Sequence, residues 1–179
     1  MNRQPQVPID VDQETGVWTT DGLPMLYVPR HFFVNNHLAV EKALGRGQYE
    51  AVLYPAGYQS AYHWCSKEAA RHGLGGVAVF EHYLKRLSQR GWGQFSFRDI
   101  VPEDTSATII LEHSAFVLAQ PQVQGRMCYM FAGWFAGAMD WLSDEAGRTT
   151  RARCRELSCA GESGEHRHCV FEVTPVAVR

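Results

Sequence analysis

The last quarter of the chain limits the fold more than any other stretch. The run from Cys128 to Cys169 contains Cys128, Glu156, Cys159 and Cys169, which can converge on one metal ion. Soft thiolates completed by a carboxylate suit a closed tetrahedral zinc site better than a hard-cation site. Cys128 is expected on a helical segment. Glu156 and Cys159 are expected at the exit of one strand and Cys169 at the entry of the next, so a hairpin can present all three. A metal held this way ties a helix to a hairpin. Three thiolates and a carboxylate around Zn²⁺ leave a formal charge of about −2, which calls for cationic neighbours. Arg126, Arg151, Arg153, Arg155 and Arg167 are near enough in sequence to serve. Cys154 shares a strand face with Glu156 by the period of two, and His166 and His168 are competent ligands, so any of these three can replace one of the four. Four protein ligands leave no open coordination position, and the metal's role is then structural.

The remaining composition narrows the setting. The N-terminal Met1-Asn-Arg-Gln-Pro-Gln6 is polar and lacks the apolar core of an export signal, so a reducing, cytoplasmic location is expected. There, five cysteines read better as ligands or buried thiols than as disulfides. The net charge of −2 creates no field that would draw nucleic acid or anionic membrane, and no apolar run is long enough for a membrane span. With 45% hydrophobic residues over 179 positions, the chain can bury one core. Residues 1–10 are expected to form a flexible N-terminal arm and residues 11–179 a single domain.

Periodicity supplies the elements. Gly16–Gly22 and Leu23–Pro29 read as two short strands about the Asp21-Gly22 turn. His31–Leu44 has helical spacing, with Phe33, His37, Val40 and Leu44 on one stripe and Gly45 as its stop. Further helices are predicted over Ala56–Arg71, over Gly76–Gln89 with Val79, Tyr83 and Leu87 inward, and from Gly125 to Trp141. Strands are predicted over Gly93–Ile100 and Ser106–Leu118, with Arg151–Ser158 and Cys169–Val173 as a terminal antiparallel pair. Helices mostly precede strands, so the expected class is α+β, with N-terminal strands and helices packed on an antiparallel sheet.

Several motifs have plainer readings. Gly73-Leu-Gly-Gly-Val-Ala78 fits a dinucleotide pattern formally, but it follows a helix rather than a buried strand and reads as a helix–helix turn. His63 and Cys65 stand two apart on a helix and face away from each other, so Cys65 is expected in the core beside Trp64. Gly133 and Gly137, with Ala132 and Ala136, make one side of their helix small and suit close helix packing.

Met127-Cys-Tyr-Met-Phe-Ala-Gly-Trp-Phe-Ala-Gly137, Arg155-Glu-Leu-Ser-Cys-Ala-Gly161 and His168-Cys-Val-Phe-Glu-Val173 together resemble the 4-vinyl reductase domain family. That family includes the sensory domains of phenol-responsive transcription activators and is distantly similar to small subunits of vesicle-tethering complexes. The resemblance implies an α+β ligand-binding fold, commonly dimeric, with zinc near the C-terminus. By the same resemblance, zinc falls on Cys128, Glu156, Cys159 and Cys169. It also implies a buried apolar pocket with a histidine and a tryptophan orienting the ligand. His82, His113 and Trp134 are the residues expected to bind ligand, and a pocket of this kind uses aromatic walls for burial and one polar group for orientation.

The implied function is a stand-alone sensor or metabolic accessory that binds a small hydrophobic or aromatic molecule, as a homodimer. The alternatives are a vinyl-reductase-type enzyme component and a protein–protein adaptor. No nicotinamide, flavin or iron–sulfur motif is recognisable, so intrinsic reductase activity is not expected, and no catalytic residue is assigned.

Overall fold

Gly133 and Gly137 set how the layers of the molecule stack. The computed structural model describes residues 7–121, 125–162 and 167–176. Three short strands, β1 (Asp10–Val11), β2 (Trp18–Thr20) and β3 (Leu23–Met25), form an antiparallel sheet. The helices α1 (Arg30–Leu44), α2 (Arg46–His72) and α3 (Val77–Gln89) follow. Next come β4 (Gln94–Val101), β5 (Ser106–Glu112), the short α4 (Ala115–Ala119) and α5 (Phe131–Glu145). The chain then forms β6 (Arg151–Ser158) and β7 (Cys169–Val176). The second sheet is antiparallel in the order β4-β5-β7-β6. Mixed helices and antiparallel sheets make the α+β class expected from the sequence.

Helix α5 runs between α2 and the second sheet, and nearly every residue from Phe131 to Ser143 is buried. A helix enclosed on both sides must be apolar all round, and one close contact must be made by backbone. A Cβ on Gly133 would land on the Tyr54 carbonyl, and one on Gly137 on the Tyr58 carbonyl. The small-residue side predicted for this helix is therefore its seam with α2. Close approach brings a tyrosine ladder of α2 within reach of α5 and β6. Tyr58 Oη donates to Asp140 Oδ2 at 2.6 Å, Tyr62 Oη to Asp144 Oδ2 at 2.9 Å, and Tyr54 Oη accepts from the Cys154 N–H at 3.0 Å. Asp140 Oδ1 also accepts the Ala152 N–H at 2.6 Å, so a buried carboxylate joins two helices and a strand.

Several boundaries differ from the sequence reading. α2 begins at Arg46 rather than Ala56 and carries Pro55 inside it. The proline deprives the Ala51 carbonyl of its helical donor, and Ala51 is exposed to water there. The predicted strand over Ser106–Leu118 ends at Glu112, because His113 takes a left-handed φ of 53° and Ser114 caps α4 by accepting the Phe116 N–H. The helix predicted from Gly125 starts at Phe131, so Cys128 sits in the turn leading into α5 rather than on a helix. On α1 the buried pair is Val34 and His37, while Val40 and Leu44 face outward. The Asp21-Gly22 turn has positive φ at both residues, as its hairpin requires. Gly73–Ala78 connects α2 to α3, a helix–helix turn as expected. Asp10, the last residue of the expected arm, belongs to β1, and residues 1–6 lie outside the described residues.

The seam predicts a contrast among glycines. Gly137→Ala should overpack the α2–α5 contact and cost about 1–3 kcal/mol, lowering Tm by roughly 2–4 °C per kcal/mol. Gly47→Ala, in helical backbone with no described residue within 4 Å of the added carbon, should be neutral or gain up to about 1 kcal/mol. Thermal melts of both variants check this, and equal Tm changes would contradict it.

Candidate metal centre and aromatic cleft

A one-residue irregularity in β6 aims the metal-competent side chains. Glu156 pairs with Phe171 and Ser158 with Val170, so Leu157 is the extra residue of a bulge. Strict alternation would put Glu156 and Ser158 on one face. The bulge shifts the parity, so that Glu156 and Cys159 are both buried while Leu157 is exposed. Cys169 opens β7 opposite Leu111 of β5, and Cys128 arrives from the turn before α5.

The four side chains meet. Cys128 Sγ lies 4.0 Å from Cys159 Sγ and 3.6 Å from Cys169 Sγ, and the last two are 3.4 Å apart. One ligand atom from each of Cys128, Glu156, Cys159 and Cys169 lies within 4.8 Å of the others. Tetrahedral zinc with bonds to sulfur of about 2.3 Å requires sulfur–sulfur edges near 3.8 Å, and the observed separations bracket that value. Both Glu156 carboxylate oxygens are buried and meet no hydrogen-bond partner among the described residues. A buried carboxylate without a partner is costly unless something else satisfies it. The donor set and the orphaned oxygens both fit a closed zinc site.

The electrostatics point the same way. Hydrogen bonds from Cys128 and Cys169 pull the Cys159 thiol far below its usual range. Burial, followed by the charge of Cys159, pushes the Glu156 carboxyl up to about 10. Such groups cannot all ionise together without a cation. Around them, the Ala160 N–H points at Cys169 Sγ at 3.4 Å, and Ser114 Oγ lies 3.0 Å from Cys128 Sγ. Arg126 donates to the Glu156 carbonyl at 3.0 Å and to Glu162 at 2.9 Å, and Glu162 accepts the Cys159 N–H at 2.8 Å. Of the five arginines named from the sequence, Arg126 reaches this shell, whereas Arg155 pairs with Glu172 and Arg151 with Asp144. Cys154 lies outside the cluster, packed in the core with its N–H on Tyr54, and His168 is not among the converging residues. His166 falls outside the described residues.

The residues expected to bind ligand do not come together. Trp134, at the first turns of α5, walls a cleft of about 320 Å³ with Trp64, Trp92, Met25, Ser60 and Arg90. Gly57 makes room for its indole, since a Cβ there would strike that ring. His82 stands behind the cleft wall, stacked on Trp64 with centroids 5.5 Å apart, and its Nε2 is 2.8 Å from Glu68 Oε2. His113 is exposed at the left-handed bend after β5 and does not line the cleft. A second cleft of about 430 Å³ shares Met25, Arg90 and Trp92 with the first and opens between β3 and α1. Sequence reasoning missed Arg90. It lies 5.5 Å over the Trp64 ring, and its Nε and Nη2 are buried without hydrogen-bond partners among the described residues. No local signal distinguishes it from any arginine ending a helix. Cys65 is fully buried, and burial raises its thiol far above the usual range, so it is an inert core residue as expected.

The same architecture recurs in solved structures. The phenol-responsive sensory domain of the transcription activator PoxR, bound to phenol, is 17% identical with a TM-score of 0.75, covering 93% of this chain and 84% of its own. A vinyl-4-reductase family protein from Methanocaldococcus jannaschii is 18% identical with a TM-score of 0.56, covering 86% and 85%. A trafficking protein particle complex subunit 3 from Naegleria fowleri, covalently bound to palmitic acid, is 12% identical with a TM-score of 0.55, covering 83% and 95%. These are the kinds of protein that the sequence resemblance anticipated, and at such identities they establish the fold. No curated protein matches the sequence. Residues 3–98 match the family described as Domain of unknown function (DUF5943), and the chain belongs to that family.

Proposed function

We propose that residues 11–179 are one domain that binds a small hydrophobic or aromatic molecule, as a sensor or metabolic accessory, and is held in shape by a structural zinc ion. The cleft walled by Trp64, Trp92 and Trp134 carries this reading. Three indoles offer a large apolar area at low conformational cost, and about 320 Å³ is at the lower end of small-molecule sites. The likeness to a sensory domain solved with phenol supports it. Trp134 contacts the ligand in this reading, and His82 acts through Trp64, which it stacks against. Arg90 borders both clefts and supplies the polar group, so the preferred ligand carries an oxygen acceptor.

Cys128, Glu156, Cys159 and Cys169 hold the zinc. Bound there, zinc cross-links the lead-in of α5 to the β6–β7 hairpin and supplies no chemistry to a substrate, because all four positions belong to the protein. The exposed apolar run Leu26 and Tyr27, with Phe32 beyond it on α1, supports a homodimer whose interface covers them.

Three outcomes are expected. Elemental analysis of protein purified without chelator should give about one zinc per chain at the thiolate site. Cys159→Ser should lose that zinc and much of the thermal stability, since binding free energy is folding free energy here. Cys65→Ala should keep the metal and cost about 1 kcal/mol. A Cys159→Ser protein as metal-rich and as stable as wild type would refute the site.

Titration with phenol should change tryptophan emission. Trp134→Ala should weaken binding about tenfold, His113→Ala should not, and Arg90→Ala should weaken phenol more than toluene. An emission signal that is equally insensitive to Trp134 and Arg90 would remove the cleft from the account. Light scattering should give a dimer that Tyr27→Glu converts to monomer, and a wild-type monomer would defeat that part of the reading.

A further inference from the structure

The tip of the β2–β3 hairpin is buried. Asp-Gly turns normally sit in water, yet Asp21 is 7% exposed, pressed against the C-terminal end of α2 and the middle of α3. Facing it are Glu68 and His72, one helical turn apart on α2, and His82 of α3. Glu68 Oε2 is 2.8 Å from His82 Nε2 and 3.4 Å from His72 Nε2, and His72 Nε2 is 3.6 Å from Asp21 Oδ1. One ligand atom of each of the four lies within 4.8 Å of all the others. Glu68 is fully buried, and its Oε1 meets no hydrogen-bond partner among the described residues.

We propose that Glu68, His72 and His82 form a second metal site for a divalent transition ion of the zinc type, with Asp21 as the fourth ligand. Bonds of about 2.0–2.1 Å to nitrogen and oxygen give tetrahedral edges near 3.3 Å, and the three measured separations, 2.8, 3.4 and 3.6 Å, fall around that length. Two imidazoles with carboxylates favour zinc and its neighbours over magnesium or calcium. Arg86 also holds Asp21, with Nη2 at 3.0 Å from Oδ1 and 2.9 Å from Oδ2. A carboxylate has about four lone-pair sites, so Asp21 can serve Arg86 and an ion together. Arg86 and Arg90 nearby, and Arg71 against Gly22, oppose a cation and make this site weaker than the thiolate one. The His72 side chain is 33% exposed, which gives the ion a route from solvent.

The site joins three elements that border the aromatic cleft. Asp21 precedes the β3 residues that wall it, and His82 stacks on Trp64. Occupancy fixes the hairpin over the cleft.

Equilibrium dialysis of the full chain against buffered zinc near neutral pH tests the site, with His72→Ala, His82→Asn and wild type in parallel. The His72→Ala change is at a partly exposed position and should fold, which far-UV circular dichroism verifies. Both variants should hold one zinc fewer than wild type. With cobalt, the thiolate charge-transfer bands of the cysteine site should be unchanged in both. Equal metal content in wild type and a folded His72→Ala protein overturns the proposal. Absence of the thiolate bands would count against the cysteine site alone, so failure of one site is separable from failure of the other.

Discussion

The backbone contact between α2 and α5 is the constraint on which the rest of the architecture depends. Because Gly133 and Gly137 lack side chains, the carbonyls of Tyr54 and Tyr58 lie directly on α5. That proximity lets Tyr58 and Tyr62 reach Asp140 and Asp144, and lets Tyr54 satisfy a strand N–H. A wider seam would leave Asp140 Oδ2 buried without its hydroxyl donor, and an unpaired buried oxygen costs more than the bond itself contributes. Steric closeness and polar satisfaction are thus a single condition, set by two residues four apart in sequence. The same seam positions Gly57, whose missing Cβ admits the Trp134 ring, so the cleft wall depends on it as well.

The thiolate cluster acts on a different joint. It gathers the entry to α5, the end of β6 and the start of β7; the two strand ends pair in the sheet, whereas Cys128 arrives from the turn before α5, outside any strand. Hydrophobic packing alone tolerates small slides at such a junction, whereas metal–ligand bonds fix length and angle. The bulge at Leu157 belongs to the same solution. Without it Glu156 and Cys159 would point to opposite faces, and the hairpin could contribute only part of the donor set.

Much of this was legible in the sequence, and the misses have physical causes. The inner face of α3, the hairpin around Asp21-Gly22 and the small side of α5 follow from spacing and residue type, which local rules capture, whereas the choice of the four cluster residues over Cys154, His166 and His168 follows from the family resemblance. The length of α2 did not, because Gly47 and Pro55 are breakers by intrinsic propensity and packing against α5 overrides them. The β-branched run after Ser106 hid a helix start, because the decisive events are a single left-handed residue, His113, and the Ser114 cap. His113, expected on a strand, is turned to solvent by that bend. Arg90 and the buried Asp21 were invisible for another reason. Their significance lies in what long-range folding places beside them, and nothing within a few residues announces it.

The metal cluster and the aromatic cleft look separate in sequence but share one helix end. Phe131 is three residues after Cys128, and its ring meets Trp92 edge-on at 5.8 Å and Trp134 at 5.1 Å. Trp92 and Trp134 in turn meet perpendicularly at 5.4 Å. On the other side of the cluster, Ser114 contacts Cys128, and its neighbours Ala115 and Phe116 line the second cleft. Fixing Cys128 therefore fixes the first turn of α5 and, through Phe131, the angle between two indoles of the cleft wall. Aromatic pairs of this kind favour edge-to-face geometry by about 0.5–1.5 kcal/mol each, too little to hold a helix end against thermal motion by themselves. With zinc held one turn away as proposed, the same contacts would become a defined surface. A clamp with no chemistry of its own can in this way determine how well a neighbouring cleft is pre-shaped for its ligand, which is where rigidity contributes to affinity.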